Sequence, residues 1–197
     1  MGVRGVGGGT KGSQLGWHRR RARCDVSGRL ALALALLWAN ASAPGRVAAQ
    51  VQSGAQAQAV TEPVSALVAA CEALGISRLA FLSPCVEAVS DRLRDVLGER
   101  GVETPVFGSF AEGEEAKVVR IAPESTRAAA RALLEGSGAE GVFLSCTNLD
   151  TLDIIAPLEA ECGIPVLSSN LVLAWHMMRL AGLAPSAAFG KWRLGQV

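Results

Sequence analysis

Helix-like and strand-like patterns alternate along the chain from Thr61 to Leu183. Segments with apolar residues at helical spacing are separated by short apolar runs, and several of the segments end on glycine, a common helix stop. The four apolar runs are RLAFLS at 78–83, TPVFGSF at 104–110, GVFLSC at 141–146 and PVLSS at 165–169. Runs this short and apolar are typical of strands covered on both faces of a parallel sheet. The alternation therefore predicts an α/β fold with a parallel sheet of about four strands flanked by helices.

The predicted helix between the third and fourth strands is short. Its pattern, IAPLEAECG at 155–163, places Pro157 in the first turn. Proline is accepted there because the first N–H groups of a helix have no intrahelical acceptor. We therefore expect this helix to begin near Ile155.

The first 60 residues differ in composition from the remainder. They contain eight Lys or Arg residues and one acidic residue, whereas residues 61–197 contain eleven basic and seventeen acidic residues. The glycine- and arginine-rich start has no apolar period, so it cannot bury enough surface to offset chain entropy. We expect a disordered basic extension and linker over 1–60 and one folded α/β lobe over 61–197. The acidic charge of this lobe argues against nucleic-acid binding, which depends on clustered positive charge.

A short apolar run lies inside the extension. LALALALLW at 30–38 follows a basic cluster, and small residues precede Gln50, which is the layout of a secretory signal. The run is too short to cross a bilayer core of about 30 Å as a helix, so no membrane span is expected. Three interpretations of 30–50 stay open: an export signal, a disordered extension, and an upstream segment wrongly included in the coding frame. We favour the last two, which leave the protein cytoplasmic.

The five cysteines favour a reduced setting without a metal centre. They are odd in number, widely spaced and form no CxxC pair, and the chain has two histidines. A zinc site therefore has few ligands to draw on, and thiols that pack or react are the simpler interpretation. Cys71 and Cys162 lie within helical patterns and are expected to be packing residues.

Small polar side chains follow the apolar runs. In parallel α/β sheets ligands collect at the carboxyl ends of the strands. The residues at these ends that we predict to form the site are Ser83, Cys85, Cys146, Thr147, Asn148, Ser168, Ser169 and Asn170. They supply hydroxyl, amide and thiol groups, although Thr147, Asn148 and Asn170 are equally suited to helix capping. Such a rim suits a small anionic substrate held by hydroxyls and backbone N–H groups.

Three stretches resemble one enzyme superfamily. SRLAFLSPC at 77–85, VFLSCTNLDTLDIIAPLEAECGIPVLSSNLVLAWHMMRLAGL at 142–183 and AFGKWRLG at 188–195 are similar to the aspartate/glutamate racemase superfamily, in particular its branch of maleate cis-trans isomerases and arylmalonate decarboxylases. The resemblance implies a flavodoxin-like or Rossmann-like lobe, the second of two that face each other across a cleft. It also implies catalysis by cysteine on a small dicarboxylate, without a metal or organic cofactor.

Cys146 matches the second-lobe cysteine of this superfamily. In the isomerases, the resemblance implies that two cysteines act, one from each lobe: a thiolate adds to maleate, the resulting single bond rotates, and elimination releases fumarate. No first-lobe cysteine motif is found upstream of Thr61. In the decarboxylases, the resemblance implies that the second-lobe cysteine protonates an enolate.

For this chain we expect an isomerase of the maleate-to-fumarate type with Cys146 as nucleophile or acid/base thiol. Backbone donors are expected to favour the thiolate of Cys146. Arylmalonate-type decarboxylation and a non-catalytic binding protein are the alternatives.

Cys85 stands where the superfamily usually has a tyrosine whose hydroxyl helps to hold a substrate carboxylate. A thiol is a weaker hydrogen-bond donor but a better nucleophile when it is deprotonated. Cys85 therefore either leaves the carboxylate less firmly held, which we favour, or places a second thiol in the cleft. A lobe with an incomplete cleft also exposes a face, so a homo-oligomer is one expected arrangement.

Overall fold

A computed structural model of the protein describes residues 59–185 and 187–197. Helices and strands alternate through this range. The strands are β1 (Arg78–Cys85), β2 (Glu103–Glu112), β3 (Gly141–Leu144) and β4 (Val166–Ser168). The helices are α1 (Pro63–Leu74), α2 (Glu87–Glu99), α3 (Glu115–Val118), α4 (Pro123–Leu134), α5 (Leu152–Cys162) and α6 (Ser169–Leu180), followed by two 3-10 turns at Phe189–Lys191 and Arg193–Gln196.

The four strands form one parallel sheet in the order β2-β1-β3-β4. The chain proceeds from β1 to β2 on one side of the sheet and from β3 to β4 on the other, so the strand order reverses between β1 and β3. In open parallel sheets a ligand crevice lies outside the carboxyl ends of the strands at such a reversal. The predicted α/β fold with four parallel strands is confirmed.

Phe81 lies at the centre of the sheet and links three strands. It is fully buried, and it stands opposite Phe107 of β2 and Phe143 of β3 in the strand register. Its ring centroid lies 6.0 Å from that of Phe107 and 5.5 Å from that of Phe143. All four residues of β3 are buried, which explains why its sequence is continuously apolar.

Local sequence accounts for several helix ends. The Glu62 carboxylate accepts the N–H groups of Val64 and Ser65 at 2.6 and 2.8 Å and so caps the start of α1. Helix α1 ends at Gly75, whose φ of +67° is a left-handed conformation that glycine adopts at low cost. Helix α6 begins after Ser168, whose hydroxyl accepts the N–H of Leu171 at 3.3 Å.

Helix α5 begins earlier than its sequence pattern indicates. It starts at Leu152, so Pro157 lies inside the helix, and the prediction that Pro157 occupies the first turn is wrong. Ile154 and Ile155 are buried in the core, and this packing extends the helix at its start. Because Pro157 has no N–H, the carbonyl of Asp153 receives no hydrogen bond from it.

The predicted extension over 1–60 lies almost entirely outside the described residues, as do the interpretations of 30–50. The boundary at residue 61 therefore stays a prediction. Within the part of the chain that the structure describes, no helix is long and apolar enough to cross a membrane.

Glu159 of α5 connects the C-terminal tail to the sheet. Its side chain is 5% exposed, and its carboxylate accepts the N–H groups of Val166 and Arg193, both at 3.1 Å. Burial raises the pKa of this carboxyl above its usual value of 4.5, although both hydrogen bonds act in the opposite direction. The contribution of Glu159 to stability is therefore complete below the unfolded pKa and declines as the pH rises through the folded pKa.

We predict that Glu159→Gln, which keeps an acceptor oxygen and removes the buried charge, becomes more stable relative to wild type as the pH rises from about 5 to about 8. Glu159→Ala leaves two backbone donors without an acceptor and should cost about 1–3 kcal/mol. Urea unfolding at both pH values measures these differences, with Glu72→Gln on the exposed side of α1 as the control. An equal stability difference between wild type and Glu159→Gln at the two pH values would contradict the prediction.

Candidate active site

A cavity opens at the reversal of strand order, beyond the carboxyl ends of β1 and β3. Its volume is about 460 Å³. Its walls come from the ends of these strands, from α2, and from the segment that follows β2. The lining residues predicted from the sequence are Ser83, Cys85, Cys146, Thr147 and Asn148.

Cys146 has a backbone conformation that non-glycine residues seldom adopt. Its φ is +146°, and such strain concentrates at functional sites. The residue before it still belongs to the sheet, because the Ser145 N–H donates to the carbonyl of Leu82 at 2.8 Å. Cys146 then leaves the strand conformation, so its thiol is freed from the side-to-side alternation of β3. The Cys146 N–H donates to the buried Ser169 hydroxyl at 3.1 Å, and the Asn148 N–H donates to its Sγ at 3.3 Å.

Cys85 is the last residue of β1 and is held by two serines. Its N–H donates to the Ser83 hydroxyl at 3.1 Å, and its carbonyl accepts the hydroxyl proton of Ser109 from β2. Both Cys85 and Cys146 are half-buried, and neither forms a disulfide. Because β1 and β3 are neighbours in the sheet, the two strand ends bring both residues to one wall of the cavity.

The thiols of Cys85 and Cys146, here called the thiol pair, share a side-chain hydrogen bond. The bond donated by Cys146 lowers the pKa of Cys85 to about 6, with help from Ser83 and against the effect of burial and of Glu115. The same bond raises the pKa of Cys146, and burial adds to this effect. The thiol pair therefore titrates as a unit, and it loses its first proton more readily than an isolated thiol would. The role of Cys146 as nucleophile or acid/base thiol stays a prediction.

The sequence leaves two roles open for Cys85. The structure agrees with the second of them, because the Cys85 residue lines the cavity together with Cys146 and so supplies a second thiol. The reason is the pairing of β1 with β3, which sequence alone does not reveal. Ser83 is 2% exposed, and its hydroxyl accepts the N–H of Cys85. Ser83 therefore helps to hold the backbone of the thiol pair in place.

Ser168, Ser169 and Asn170, at the end of β4 and the start of α6, do not line the cavity. Ser168 and Ser169 are buried and engaged, the first as the cap of α6 and the second with the Cys146 N–H. Asn170 is exposed and donates from Nδ2 to the carbonyl of Thr147 at 2.9 Å. These contacts position the loop that carries Cys146. Direct substrate binding by the three residues stays a prediction.

The sequence interpretation missed the cavity walls contributed by α2 with the residue before it, and by the end of β2 with the segment that follows. These lining residues are Val86, Ala88, Val89, Ser90, Arg92, Leu93, Glu112, Gly113, Glu115 and Val118. A partial signal is present in the sequence, where Val86, Val89 and Leu93 recur at helical spacing. One arginine and two glutamates are the charged members of this set. The summed charge of these three residues therefore does not attract a dicarboxylate, so binding of one depends on local donors, which are the Arg92 guanidinium and the hydroxyl, amide and backbone groups.

Within 59–185 and 187–197, no group of three or more His, Cys, Asp or Glu residues is placed to hold a metal ion. The donor groups of the cavity are thiols, hydroxyls, an amide and the Arg92 guanidinium.

The lobe superposes on structures of arylmalonate decarboxylase and of maleate cis-trans isomerase, which places the chain in the branch of the aspartate/glutamate racemase superfamily that contains both. The model of one family, arylmalonate decarboxylase, matches residues 46–194. The chain therefore belongs to the arylmalonate decarboxylase family.

The individual relatives include arylmalonate decarboxylases and maleate isomerases. The arylmalonate decarboxylase of Bordetella bronchiseptica is 32% identical over 131 residues, which are 66% of this chain and 55% of that protein. The structure of Nocardia farcinica maleate cis-trans isomerase bound to TRIS superposes with a TM-score of 0.74 at 28% identity, covering 83% of this chain and 69% of that one. A cysteine-to-serine mutant of the Nocardia enzyme with a covalently bound succinylcysteine intermediate superposes with a TM-score of 0.72 at 25% identity, covering 79% and 66%. This chain thus spans little more than half the length of the decarboxylase relative.

We predict that iodoacetamide alkylates Cys85 faster than any other described cysteine at neutral pH, with a half-maximal rate near pH 6. Cys146→Ala removes the hydrogen-bond donor and should move this midpoint upward. Cys71, whose pKa burial raises to about 12, is the internal control and should stay unlabelled in the folded protein. Mass spectrometry of peptides quenched at successive times gives each rate. A Cys85 midpoint that does not change in Cys146→Ala would show that the thiols do not share a proton.

Proposed function

We propose that the protein is a cofactor-independent isomerase of the maleate-to-fumarate type that acts on a small dicarboxylate. The observation that carries the proposal is the thiol pair at the strand-order reversal. It places one thiolate and one thiol side by side in a single cavity. A thiolate is the form that attacks carbon, and a neighbouring thiol is able to deliver a proton.

The proposed reaction uses both members of the thiol pair. The Cys85 thiolate adds to one alkene carbon, which forms a C–S bond and moves the π electrons to the adjacent carbon. The Cys146 thiol protonates that carbon. Rotation about the new single bond then places the carboxylates on opposite sides. The Cys146 thiolate removes a proton, the C–S bond breaks, and the trans alkene leaves with Cys85 again a thiolate.

The relatives support this type of chemistry. The Nocardia farcinica isomerase variant carries a covalently bound succinylcysteine, so a cysteine of that protein bonds to carbon of a four-carbon acid. In this chain, the strained Cys146 and its two backbone contacts hold a thiol where such a bond could be made or protonated. A reduced cytoplasmic setting, which keeps both thiols free, is part of the proposal.

Decarboxylation of an arylmalonate is the second candidate. It is favoured by the family match and by the raised pKa of Cys146, which keeps this thiol protonated as a proton donor. In this route loss of carbon dioxide gives an enolate, and Cys146 transfers its proton to the α-carbon. The apolar part of the cavity wall, formed by Val86, Val89 and Leu93, would contact the aryl group.

We predict that the full chain converts maleate to fumarate, as followed by proton NMR, and that Cys146→Ala lowers the rate by about 10²–10⁴-fold because it removes the proton donor. Cys162→Ala, a half-buried cysteine outside the cavity, should keep wild-type activity. Phenylmalonate is tested in parallel, and release of phenylacetate would select the second candidate. Turnover that persists in Cys146→Ala would exclude both mechanisms. Lack of turnover of either substrate by wild type would instead favour a binding protein.

Glu115 lines the cavity, and its negative charge opposes binding of a dianion. We predict that Glu115→Gln lowers the KM for a dicarboxylate by about two- to fivefold, and that the effect shrinks at high salt because Glu115 is exposed. Steady-state kinetics at low and high ionic strength measure the change. Glu124→Gln on α4, also exposed but outside the cavity lining, is the matched control. An equal effect of the two substitutions would show that Glu115 does not face the substrate.

A further inference from the structure

The thiol pair has chemistry that isomerisation does not use. Two reduced thiols from neighbouring strand ends line one cavity, and both are half-buried rather than sealed in the core. The other described cysteines differ: Cys71 is fully buried within α1, and Cys162 lies at the end of α5 and outside the cavity. Cys85 and Cys146 are thus the two described cysteines that a small solute in the cavity would reach together.

The backbone around the thiol pair is compatible with a covalent bridge. Strands β1 and β3 are adjacent, and their pairing continues to the residue before Cys146, through the bond from Ser145 to Leu82. Leu82 lies opposite Leu144. The register therefore sets Cys146 beside Pro84 and one residue before the level of Cys85. With strands about 4.8 Å apart and a rise of about 3.3 Å per residue, this diagonal offset falls within the Cα separation of about 4.4–6.8 Å that a disulfide joins.

We propose that Cys85 and Cys146 form a peroxide-reactive dithiol site that closes to an internal disulfide. The substrate class is a small hydroperoxide, including hydrogen peroxide, that enters the cavity. The site does not depend on the proposed isomerase or decarboxylase reaction.

The chemistry is a two-electron oxidation of the thiol pair. The Cys85 thiolate attacks the terminal oxygen of the hydroperoxide, an S–O bond forms, and the O–O bond breaks; the leaving alkoxide or hydroxide takes a proton from solvent, which replaces the proton lost when Cys85 ionised. The Cys146 sulfur then attacks the sulfenic sulfur of Cys85, the S–S bond forms, and the S–O bond breaks; the Cys146 proton passes to the departing hydroxide, which leaves as water. In total, two thiols and one hydroperoxide give one disulfide, one alcohol or water, and one water.

Two features assign the attacking and resolving roles. The low pKa of Cys85 makes it a thiolate at neutral pH, and the thiolate is the form that reacts with peroxide. Cys146 keeps its proton until Cys85 is oxidised, since the negative sulfur that raises its pKa is then gone. Oxidation of Cys85 in the first step therefore makes it easier for the Cys146 thiol to lose its proton and attack.

The test is mass spectrometry of the full chain after exposure to equimolar hydrogen peroxide. Remaining thiols are blocked, and the protein is cleaved without reduction after Arg and Glu residues. This cleavage separates the peptide 79–87, with Cys85, from 141–159, with Cys146, and leaves Cys162 on a third peptide. We expect the first two peptides linked, with a mass two hydrogens below their sum, and we expect dithiothreitol to separate them. Absence of this link, whether the thiols stay reduced, become over-oxidised or link to Cys162, would overturn the proposal.

Variants test the order of the two steps. In Cys146→Ala the sulfenic acid of Cys85 has no resolving thiol, so it should persist and be trapped by dimedone. In Cys85→Ala the Cys146 thiol should react at least about tenfold more slowly than Cys85 does in wild type. Cys162→Ala should form the link at the wild-type rate. Faster oxidation of Cys146 than of Cys85 would contradict the assigned roles, even if the link forms.

Discussion

The pairing of β1 with β3 is the interaction on which the rest of the site depends. Phe81 and Phe143 lie opposite each other in this pairing, and their buried rings fix how far each strand extends beyond the core. Because the strands are parallel, both carboxyl ends finish at the same edge, and Cys85 and Cys146 meet there. A shift of one residue in this register would send the side chains of β3 to the opposite faces and separate the thiols.

The sequence predicts the elements well because buried parallel strands leave a local signal. The runs that became β1 and β3 are apolar on both faces, and the small polar residues after them, including Cys146, mark the strand ends. Strand order leaves no such signal, so the proximity of Cys85 and Cys146 could not be derived before the fold was known.

Tertiary packing also decided features that the local pattern could not predict. At Pro157, burial of Ile154 and Ile155 overrides the local preference of proline for a first turn. The role of α2 as a cavity wall was missed because a helix pattern shows which face is apolar and not what that face contacts.

One shared proton connects the chemistry of the thiol pair with its susceptibility to oxidation. The hydrogen bond that makes Cys85 a nucleophile toward carbon also makes it a nucleophile toward oxygen. The bond depends on the conformation of Cys146, whose φ of +146° turns its side chain out of the strand pattern. Ser169 stabilises that conformation from the buried end of α6.

The placement of the two sulfur atoms also limits which reactions the thiol pair can perform. Racemisation by two thiols requires one on each face of the substrate, since a proton is removed from one face and delivered to the other. Cys85 and Cys146 come from neighbouring strand ends and line the same cavity, so their thiols lie on one side of a molecule bound there. Such an arrangement suits addition and protonation at two neighbouring carbons, or protonation of an enolate from one face. By this geometry, the thiol pair is suited to isomerisation of an alkene or to decarboxylation, and a two-face racemisation would need a second thiol from outside the described lobe.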